Sequence, residues 1–244
     1  MRRFAATIRD NKNPLEIFGD SLKLWIDATD EDTVTTSGTN DIEGIDDKSG
    51  NGNDFVYSGV GFTKGKYETD NNGNKYMNIG IEDSLKITDI SDFRTTEGEF
   101  IIYATAFNNT ENRFIALSNE STNNFILFDK NYEKYRIADR VAGNQKLATV
   151  ANPLLPNKNK PISYVSDGSN YKILEDLDEL IPLIGTNDGD WIGDNSNLET
   201  LFIGAFKFNN AIISNQRFYA YQIFYIDRPA TAQEREQLNN LINN

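Results

Sequence analysis

The sequence predicts an all-β protein, a sandwich or barrel of short strands with a short C-terminal helix. Short apolar segments recur at intervals of roughly 10–20 residues between clusters of turn-forming residues, which is typical of sandwiches and barrels rather than of βαβ units. The chain has 244 residues, 38% of them hydrophobic and 11% aromatic, enough for one sandwich with a sizeable core. We therefore expect one domain at residues 21–244, preceded by an N-terminal arm at residues 1–20.

The first strand is expected at Leu22 to Ile26, an apolar run that stops at an acidic, turn-rich segment. The loop at 47–53 follows, and its alternating glycines and asparagines suit backbone positions with positive φ. Further strands are predicted at 54–60, 76–79, 99–106, 113–118, 124–129, 134–138, 161–166, 171–174, 200–208 and 217–226.

Two of these strands have no fully polar face. In the strand at 99–106, one face carries Phe100, Ile102 and Ala104, and the other carries Ile101, Tyr103 and Thr105. The strand at 200–208 shows the same property. Such strands indicate sheets that are covered on both sides or that contact a neighbouring subunit, so a homo-oligomer is one of the alternatives.

One helix is predicted near the C-terminus. Thr231 and Glu234 form a capping box, in which the threonine hydroxyl and the glutamate carboxylate satisfy free amides at the helix start. An apolar stripe at three- and four-residue spacing follows, made of Leu238, Leu241 and Ile242.

Both ends of the domain resemble concanavalin A-like jelly-roll domains of the LamG and pentraxin-like kind. The opening match is LW-D-A-(S/T)-D at 24–30, followed by D-K-S-G-N-G-N at 47–53. The closing match is the strand and helix at 217–238, where Gln222 replaces the family's usual glutamate, together with LFIG at 201–204. The resemblance implies the fold, a jelly-roll sandwich of antiparallel sheets. It leaves the function open, because this fold carries many functions, in bacterial surface proteins and in bacteriophage structural proteins among others.

Composition excludes several kinds of function. The net charge of −13 argues against binding a nucleic-acid backbone or an anionic membrane surface. The absence of cysteine and histidine removes disulfides, thiolate chemistry and histidine-dependent catalysis. Any metal would be a hard cation held by oxygen, with calcium as the natural candidate.

A loop at 185–199 is the first candidate site. Counted from Asp188, it places carboxylates at positions 1, 3, 7 and 12, namely Asp188, Asp190, Asp194 and Glu199. Ile192 at position 5 cannot ligate and the flanks are not helical, which argues against an EF-hand. A looser calcium site and a polar surface loop whose residues serve turns are the two alternatives.

Trp191 lies in the middle of the same loop. Lectins bind sugars by stacking an exposed aromatic ring on the sugar ring, among side chains that hydrogen-bond to the sugar hydroxyls. Here Trp191 would be the ring, and Asp190 and Asn195 would bond to the hydroxyls. The alternative is that Trp191 is a plug tucked under the loop.

A second candidate cation site combines two acidic turns. The first contains Asp27, Asp30 and Asp32, and the second contains Asp46 and Asp47. Asp27 belongs to the family-like LW-D motif, where accepting hydrogen bonds from turn amides is an equal alternative to metal ligation.

Catalysis is not expected. The route left by the composition is a pair of carboxylates, as in glycoside hydrolases. Concanavalin-like glucanases carry a strand motif Glu-x-Asp-x-x-Glu, which is absent here, and the acidic cluster at 175–179 has the wrong spacing.

These observations favour a bacteriophage virion protein, such as a capsid decoration, head-fibre or tail-associated protein, with a lectin-like jelly roll. The segment at 1–20, with its arginines at 2, 3 and 9, would dock on another virion protein, the equal alternative being a loosely ordered terminus. The outward loops would bind bacterial surface glycans. The N-terminus lacks the apolar core of a signal peptide, which suits a virion protein made in the host cytoplasm. The alternatives are a stand-alone calcium-dependent lectin and, third, a glycoside hydrolase.

Overall fold

The computed structural model describes residues 12–106, 111–120, 124–141, 144–151, 156–180, 184–214 and 217–243. Two α-helices lie near the ends of the chain, α1 (Pro14–Phe18) and α2 (Ala232–Ile242). The strands are β1 (Leu22–Asp27), β2 (Val34–Ser37), β3 (Asp41–Ile45), β4 (Phe55–Tyr57), β5 (Lys66–Thr69), β6 (Lys75–Ile79), β7 (Ser84–Ile87), β8 (Gly98–Ala106), β9 (Asn112–Ser118), β10 (Phe125–Asn131), β11 (Lys134–Val141), β12 (Asn144–Ala151), β13 (Ile162–Ser166), β14 (Tyr171–Glu175), β15 (Asp178–Glu179), β16 (Ile184–Gly185), β17 (Thr200–Gly204), β18 (Phe206–Phe208), β19 (Ala211–Ile213) and β20 (Phe218–Ile226).

The strands form an antiparallel sandwich, as the sequence predicts. We call the sheet on which α1 and α2 pack the helix-side sheet, and the one on which β18 and β19 pack the hairpin-side sheet. In the helix-side sheet, β20 pairs with β8 along its whole length and with β6 and β1 on its other edge. β8 also pairs with β13, which pairs with β14. In the hairpin-side sheet the order is β4, β7, β17, β9, β10, β11 and β12. β3 pairs with β4 and β5, so one edge of the sandwich connects the two sheets.

Three apolar layers account for the two-sided strands. The central core between the sheets contains Phe100, Ile102 and Ala104 from β8 and Leu201 and Ile203 from β17. The outer face of the helix-side sheet is covered by α1 and α2 through a second cluster that includes Ile101, Tyr103, Phe18 and Leu238. The outer face of the hairpin-side sheet is covered by β18 and β19 through a third cluster that includes Phe202 and Phe206. Both outer faces are therefore covered from within the chain.

The predicted strand at 200–208 is in fact two strands. The chain turns at Gly204, whose φ is +90° and where a Cβ would lie 2.5 Å from the carbonyl oxygen of Asp83. β17 stays in the sheet, whereas β18 pairs with β19 in a separate hairpin. The prediction of one continuous strand was wrong because the apolar alternation runs unbroken across the glycine.

The C-terminal helix is confirmed, and its capping box is formed. Thr231 Oγ1 accepts a hydrogen bond from Glu234 N at 3.2 Å, and Glu234 accepts one from Thr231 N at 2.7 Å. The helix is held on the sheet by Glu99, a fully buried residue of β8 whose carboxylate accepts hydrogen bonds from Arg235 at 2.6 and 2.8 Å. No helix in the described ranges is long and apolar enough to span a membrane.

The predicted arm at 1–20 lies partly outside the described residues, which begin at residue 12. The described part contains α1, which the sequence analysis missed. Asn13 and Glu16 form its capping box, and Ile17 and Phe18 pack in the cluster that also contains Leu238 of α2. Residues 14–18 are thus part of the domain's packing, and the docking role of the preceding residues stays a prediction.

Candidate functional site

The loop at 185–199 has Trp191 at its centre, and this side chain is buried, with 1% of its surface exposed. The ring packs on Phe128 and Phe100, with ring centroids 5.1 and 6.3 Å away. Its indole Nε1 donates a hydrogen bond to the Tyr225 hydroxyl at 3.2 Å. The stacking of Trp191 on a sugar is therefore wrong for this conformation, and the alternative that Trp191 is a plug under the loop is what the structure shows.

The two other residues of the predicted sugar site are also engaged in the fold. Asn195 is 2% exposed, so its amide does not face solvent. Asp190 accepts a hydrogen bond from the Tyr171 hydroxyl through its backbone oxygen. Together with Trp191 they stabilise the end of the core.

The predicted calcium ligands do not converge. The Asp194 carboxylate accepts a hydrogen bond from the Trp191 backbone amide at 2.7 Å. This hydrogen bond caps the short helical turn at 192–194. Glu199 is exposed, and Asp188 and Asp190 lie on the preceding extended segment. No group of three or more acidic side chains arranged to hold a metal occurs among the described residues. The alternative that the loop's acidic residues serve turns fits this geometry.

The acidic turns of the family-like motif do meet in space, and an internal cation lies between them. The Lys48 ammonium is 3.1 Å from Asp27 Oδ2 and 2.7 Å from Asp30 Oδ2, and it lies 4.6 Å from the centre of the Trp25 ring. Desolvation lowers the pKa of Lys48, but the hydrogen bonds and charges of the two carboxylates outweigh it and raise this pKa above its ordinary value. A lysine thus occupies the place where the sequence suggested a metal.

The loop at 47–53 of the same motif covers the free edge of β1. Asp47 Oδ1 accepts the Trp25 amide at 2.9 Å, and the Asn53 and Asn51 side-chain amides donate to the carbonyl oxygens of Lys23 and Leu22 at 2.8 and 2.9 Å. These side chains make the hydrogen bonds to the β1 backbone that a neighbouring strand would make. They thereby protect an edge that would otherwise pair with other chains. The motif is therefore explained by the fold.

A polar groove on the outer face of the helix-side sheet is the strongest candidate for a ligand site. We call it the Tyr103–Tyr221 groove, and its volume is about 350 Å³. It is lined by Thr29, Asn74, Tyr103, Lys158, Asn159, Tyr221, Gln222, Ile242 and Asn243. The two tyrosine rings are buried and form part of the wall. The amides and hydroxyls of the lining are groups with which binding sites hold polyhydroxylated ligands.

A β-bulge in β20 places two consecutive side chains in this groove. The register of β20 on β8 shifts between Ala220 and Gln222, so that both Tyr221 and Gln222 line the groove although neighbours in a regular strand point to opposite faces. Gln222 Nε2 donates to Asp27 Oδ1 at 3.1 Å, which fixes the amide at the groove's rim. The bulge lets a nearly continuous apolar strand contribute polar groups to one point.

Tyr103 supplies a hydroxyl that is buried in the wall of the groove. The residue is 1% exposed, and its hydroxyl oxygen has no hydrogen-bond partner among the described residues. Burial raises the pKa of Tyr103 far above its ordinary value, so the phenol stays protonated and can donate. Buried polar groups in native proteins are nearly always satisfied, so this hydroxyl in the wall of a groove is a place for a water molecule or a ligand atom.

A larger groove of about 670 Å³ lies beside β5 and β6, and its aromatic hydroxyls are already used. Tyr67 donates to the Ala28 carbonyl oxygen at 3.0 Å, and Tyr76 donates to Glu68 Oε2 at 3.1 Å. Glu31 and Asp32 add negative charge to this groove. It offers a ligand fewer unsatisfied groups than the Tyr103–Tyr221 groove does.

The Tyr103–Tyr221 groove is not recognisable from the sequence because its residues come from six separate segments of the chain. One signal was present, namely Gln222 as the polar residue in the otherwise apolar run of β20. The sequence analysis noted Gln222 as a departure from the family pattern. A polar residue that breaks alternation within a buried strand indicates a bulge, and bulges often occur beside binding sites.

The comparisons with known proteins bear on the fold. No protein-family model matches the sequence, and no curated protein is similar to it. Solved structures do match. The CBM40 domain of a Ruminococcus gnavus IT-sialidase, bound to α2,3-sialyllactose, superposes with a TM-score of 0.55 at 8% identity, covering 67% of this chain and 95% of that one.

Two larger proteins contain a similar domain. The NanB sialidase from Streptococcus pneumoniae gives a TM-score of 0.54 at 14% identity, over 64% of this chain and 26% of the sialidase. Botulinum neurotoxin type C, whose cell entry depends on interaction with two ganglioside molecules, gives 0.61 at 9% identity, over 91% of this chain and 51% of that chain. This chain thus spans about a quarter of the length of the sialidase and about half of the length of the neurotoxin chain. At these identities the likeness establishes the architecture, which is an antiparallel jelly-roll sandwich.

Proposed function

We propose that this protein is a carbohydrate-binding domain and that the Tyr103–Tyr221 groove is its binding site. The observation that carries the proposal is the buried, unsatisfied hydroxyl of Tyr103 in a groove otherwise lined by amides, hydroxyls and a second tyrosine. Sugar hydroxyls both donate and accept, so they match the asparagine, glutamine, threonine and tyrosine groups there. The similar structures with bound sialyllactose or with ganglioside interactions support a carbohydrate as the general kind of ligand.

Binding without catalysis is part of the proposal. Glycoside hydrolysis ordinarily needs two carboxyl groups on either side of the scissile bond. None of the described residues that line the groove is acidic. Two carboxylates bonded to lining residues, Asp27 and Asp70, are engaged within the protein. Asp27 accepts hydrogen bonds from Thr29 and Gln222, and Asp70 accepts them from Lys158 and the side-chain amide of Asn74. These residues suit the holding of a sugar better than the cleavage of a glycosidic bond.

The test is binding of the whole protein to an array of oligosaccharides, followed by calorimetry on the strongest ligand. Asn159→Trp is expected to fill the groove and to abolish binding, because Asn159 is an exposed residue of its lining. The matched control is Asn197→Trp, an equally exposed asparagine in the loop at 185–199. The proposal is overturned if the wild type binds no oligosaccharide or if the two variants behave alike.

The same array, with and without a calcium chelator, examines the alternative of a calcium-dependent lectin. Binding that disappears with the chelator would favour that alternative. The geometry favours calcium-independent binding, since Lys48 already neutralises Asp27 and Asp30.

The more specific hypothesis of a bacteriophage virion protein depends on residues 1–11, which carry three arginines in a chain of net charge −13. We propose that these residues dock the domain on an assembled particle. Light scattering of the full chain and of a chain lacking residues 1–11, each mixed with purified particles, tests this. The truncation leaves α1 intact, so a loss of particle binding would be assigned to the segment itself.

A further inference from the structure

The cationic side chain of the Tyr103–Tyr221 groove is neutralised within the protein. Lys158 is the basic residue of the described lining, and its ammonium is 3.0 Å from Asp70 Oδ2. The side chains of both partners are mostly buried, with 23% of Lys158 and 16% of Asp70 exposed. An ammonium held in this way presents little net charge to a ligand in the groove.

Asp70 is held in place by several other groups. Its Oδ1 accepts the backbone amides of Asn72 and Asn74 at 2.8 and 2.9 Å, and the Asn74 side chain donates to both of its oxygens. Desolvation raises the pKa of Asp70, but the hydrogen bonds from Asn74 and Lys158 outweigh it and hold this pKa well below its usual range. The carboxylate is therefore ionised and fixed when a ligand arrives.

Lys158 is anchored as well. Its backbone amide donates to Thr105 Oγ1 at 3.2 Å, and its ammonium lies 5.1 Å from the centre of the Tyr221 ring. An anionic ligand would have to share this ammonium with Asp70. The Asp70 carboxylate would then lie close to the ligand's own negative charge.

The other groups of the groove favour uncharged ligands. Thr29, Asn74, Asn159, Gln222 and Asn243 are neutral, so none of them offers a cation to an acidic sugar. The whole chain carries a net charge of −13, which repels anions at a distance.

Resting on the proposed function, we infer that the Asp70–Lys158 ion pair makes the groove selective for neutral over acidic oligosaccharides. Asp70 is then the specificity-determining residue, although it acts through Lys158. The ligand class is a neutral oligosaccharide, and carboxylated or sulfated sugars are discriminated against.

The test uses the whole protein, a neutral oligosaccharide that it binds, and the same oligosaccharide carrying a carboxylate or a sulfate. The wild type is expected to prefer the neutral form. Asp70→Asn keeps an oxygen to accept the turn amides and releases Lys158, so the ratio of affinities should shift toward the acidic form by about tenfold or more, the size of a gained charge-assisted hydrogen bond. The gained binding should weaken with added salt.

The double variant Asp70→Asn with Lys158→Met is the control, because it removes the cation and should abolish the shift. Its melting temperature and that of Asp70→Asn verify that both fold. A wild type that prefers the acidic form, or an Asp70→Asn variant whose ratio is unchanged, overturns the selectivity while leaving glycan binding in place. A wild type that binds neither form overturns the proposed function and the selectivity with it.

Discussion

Replacing Tyr103 by phenylalanine should move stability and affinity in opposite directions. The hydroxyl is buried and has no partner among the described residues, so it contributes a desolvation cost of about 1–3 kcal/mol to the ligand-free protein. The phenylalanine ring keeps the edge-on contact with Phe224, whose centroid is 6.2 Å away. We therefore expect Tyr103→Phe to raise the free energy of unfolding by about 1 kcal/mol, which corresponds to about 2–4 °C in melting temperature for a chain of this size.

The same variant should bind its oligosaccharide more weakly. A neutral hydrogen bond contributes about 0.5–1.5 kcal/mol net, which is an affinity loss of roughly 2- to 10-fold. Thermal unfolding measures the first quantity and calorimetric titration measures the second. Tyr132→Phe, at a tyrosine that is 63% exposed and outside the groove, should change neither.

Two results would refute this reasoning. If Tyr103→Phe lowers the melting temperature, the hydroxyl is hydrogen-bonded in the free protein and is not reserved for a ligand. If stability rises but affinity is unchanged, the hydroxyl does not face the bound sugar, and the groove is occupied differently or not at all.

Three further predictions follow from the ion pairs of the fold, and a fourth concerns calcium. Lys48→Met should lower the free energy of unfolding by about 1–2 kcal/mol in urea titrations, because it leaves Asp27 unpaired at a mostly buried position; a neutral result would contradict the role of Lys48 as an internal cation. Arg235→Leu should lower the free energy of unfolding by about 3–5 kcal/mol, because it leaves the buried carboxylate of Glu99 without its cation. A decrease below about 1 kcal/mol would show that other contacts hold α2 on the sheet. The hydrogen bond from Arg228 lowers the pKa of Glu234 to about 2. The ionised Glu234 therefore contributes fully to the free energy of unfolding above pH 4.5, and this contribution is lost as the pH falls through about 2. The difference in melting temperature between the wild type and Glu234→Gln should shrink over that range, and a constant difference would contradict this assignment. Millimolar calcium and a chelator should leave the melting temperature unchanged, and a saturable rise with calcium would contradict the absence of a metal cluster in the described residues.

Much of the fold follows from local patterns in the sequence. The rhythm of apolar segments and turns predicts an antiparallel sandwich, and the alternation in β8 correctly assigns Phe100 and Ile102 to one apolar layer and Ile101 and Tyr103 to another. The capping box and apolar stripe predict α2. Each of these signals depends on neighbours within a few residues along the chain, which is why it can be read without the tertiary structure.

Other features depend on contacts between distant segments. Whether Trp191 is an exposed platform or a plug is decided by Phe100, Phe128 and Tyr225, which lie 34 residues or more away from it along the chain. The same is true of the acidic turns, where composition permits a metal and the fold supplies the ammonium of Lys48 instead.

The candidate site belongs entirely to this second category. Tyr103, Lys158 and Tyr221 meet because β20 pairs with β8 and the segment at 157–160 comes back to the same face of the sheet. The bulge after Ala220 and the unsatisfied state of the Tyr103 hydroxyl are properties of strand register and burial. The sequence determined the layers of this protein through the period of its apolar residues, whereas the binding groove was decided by which strands pair and where their register shifts.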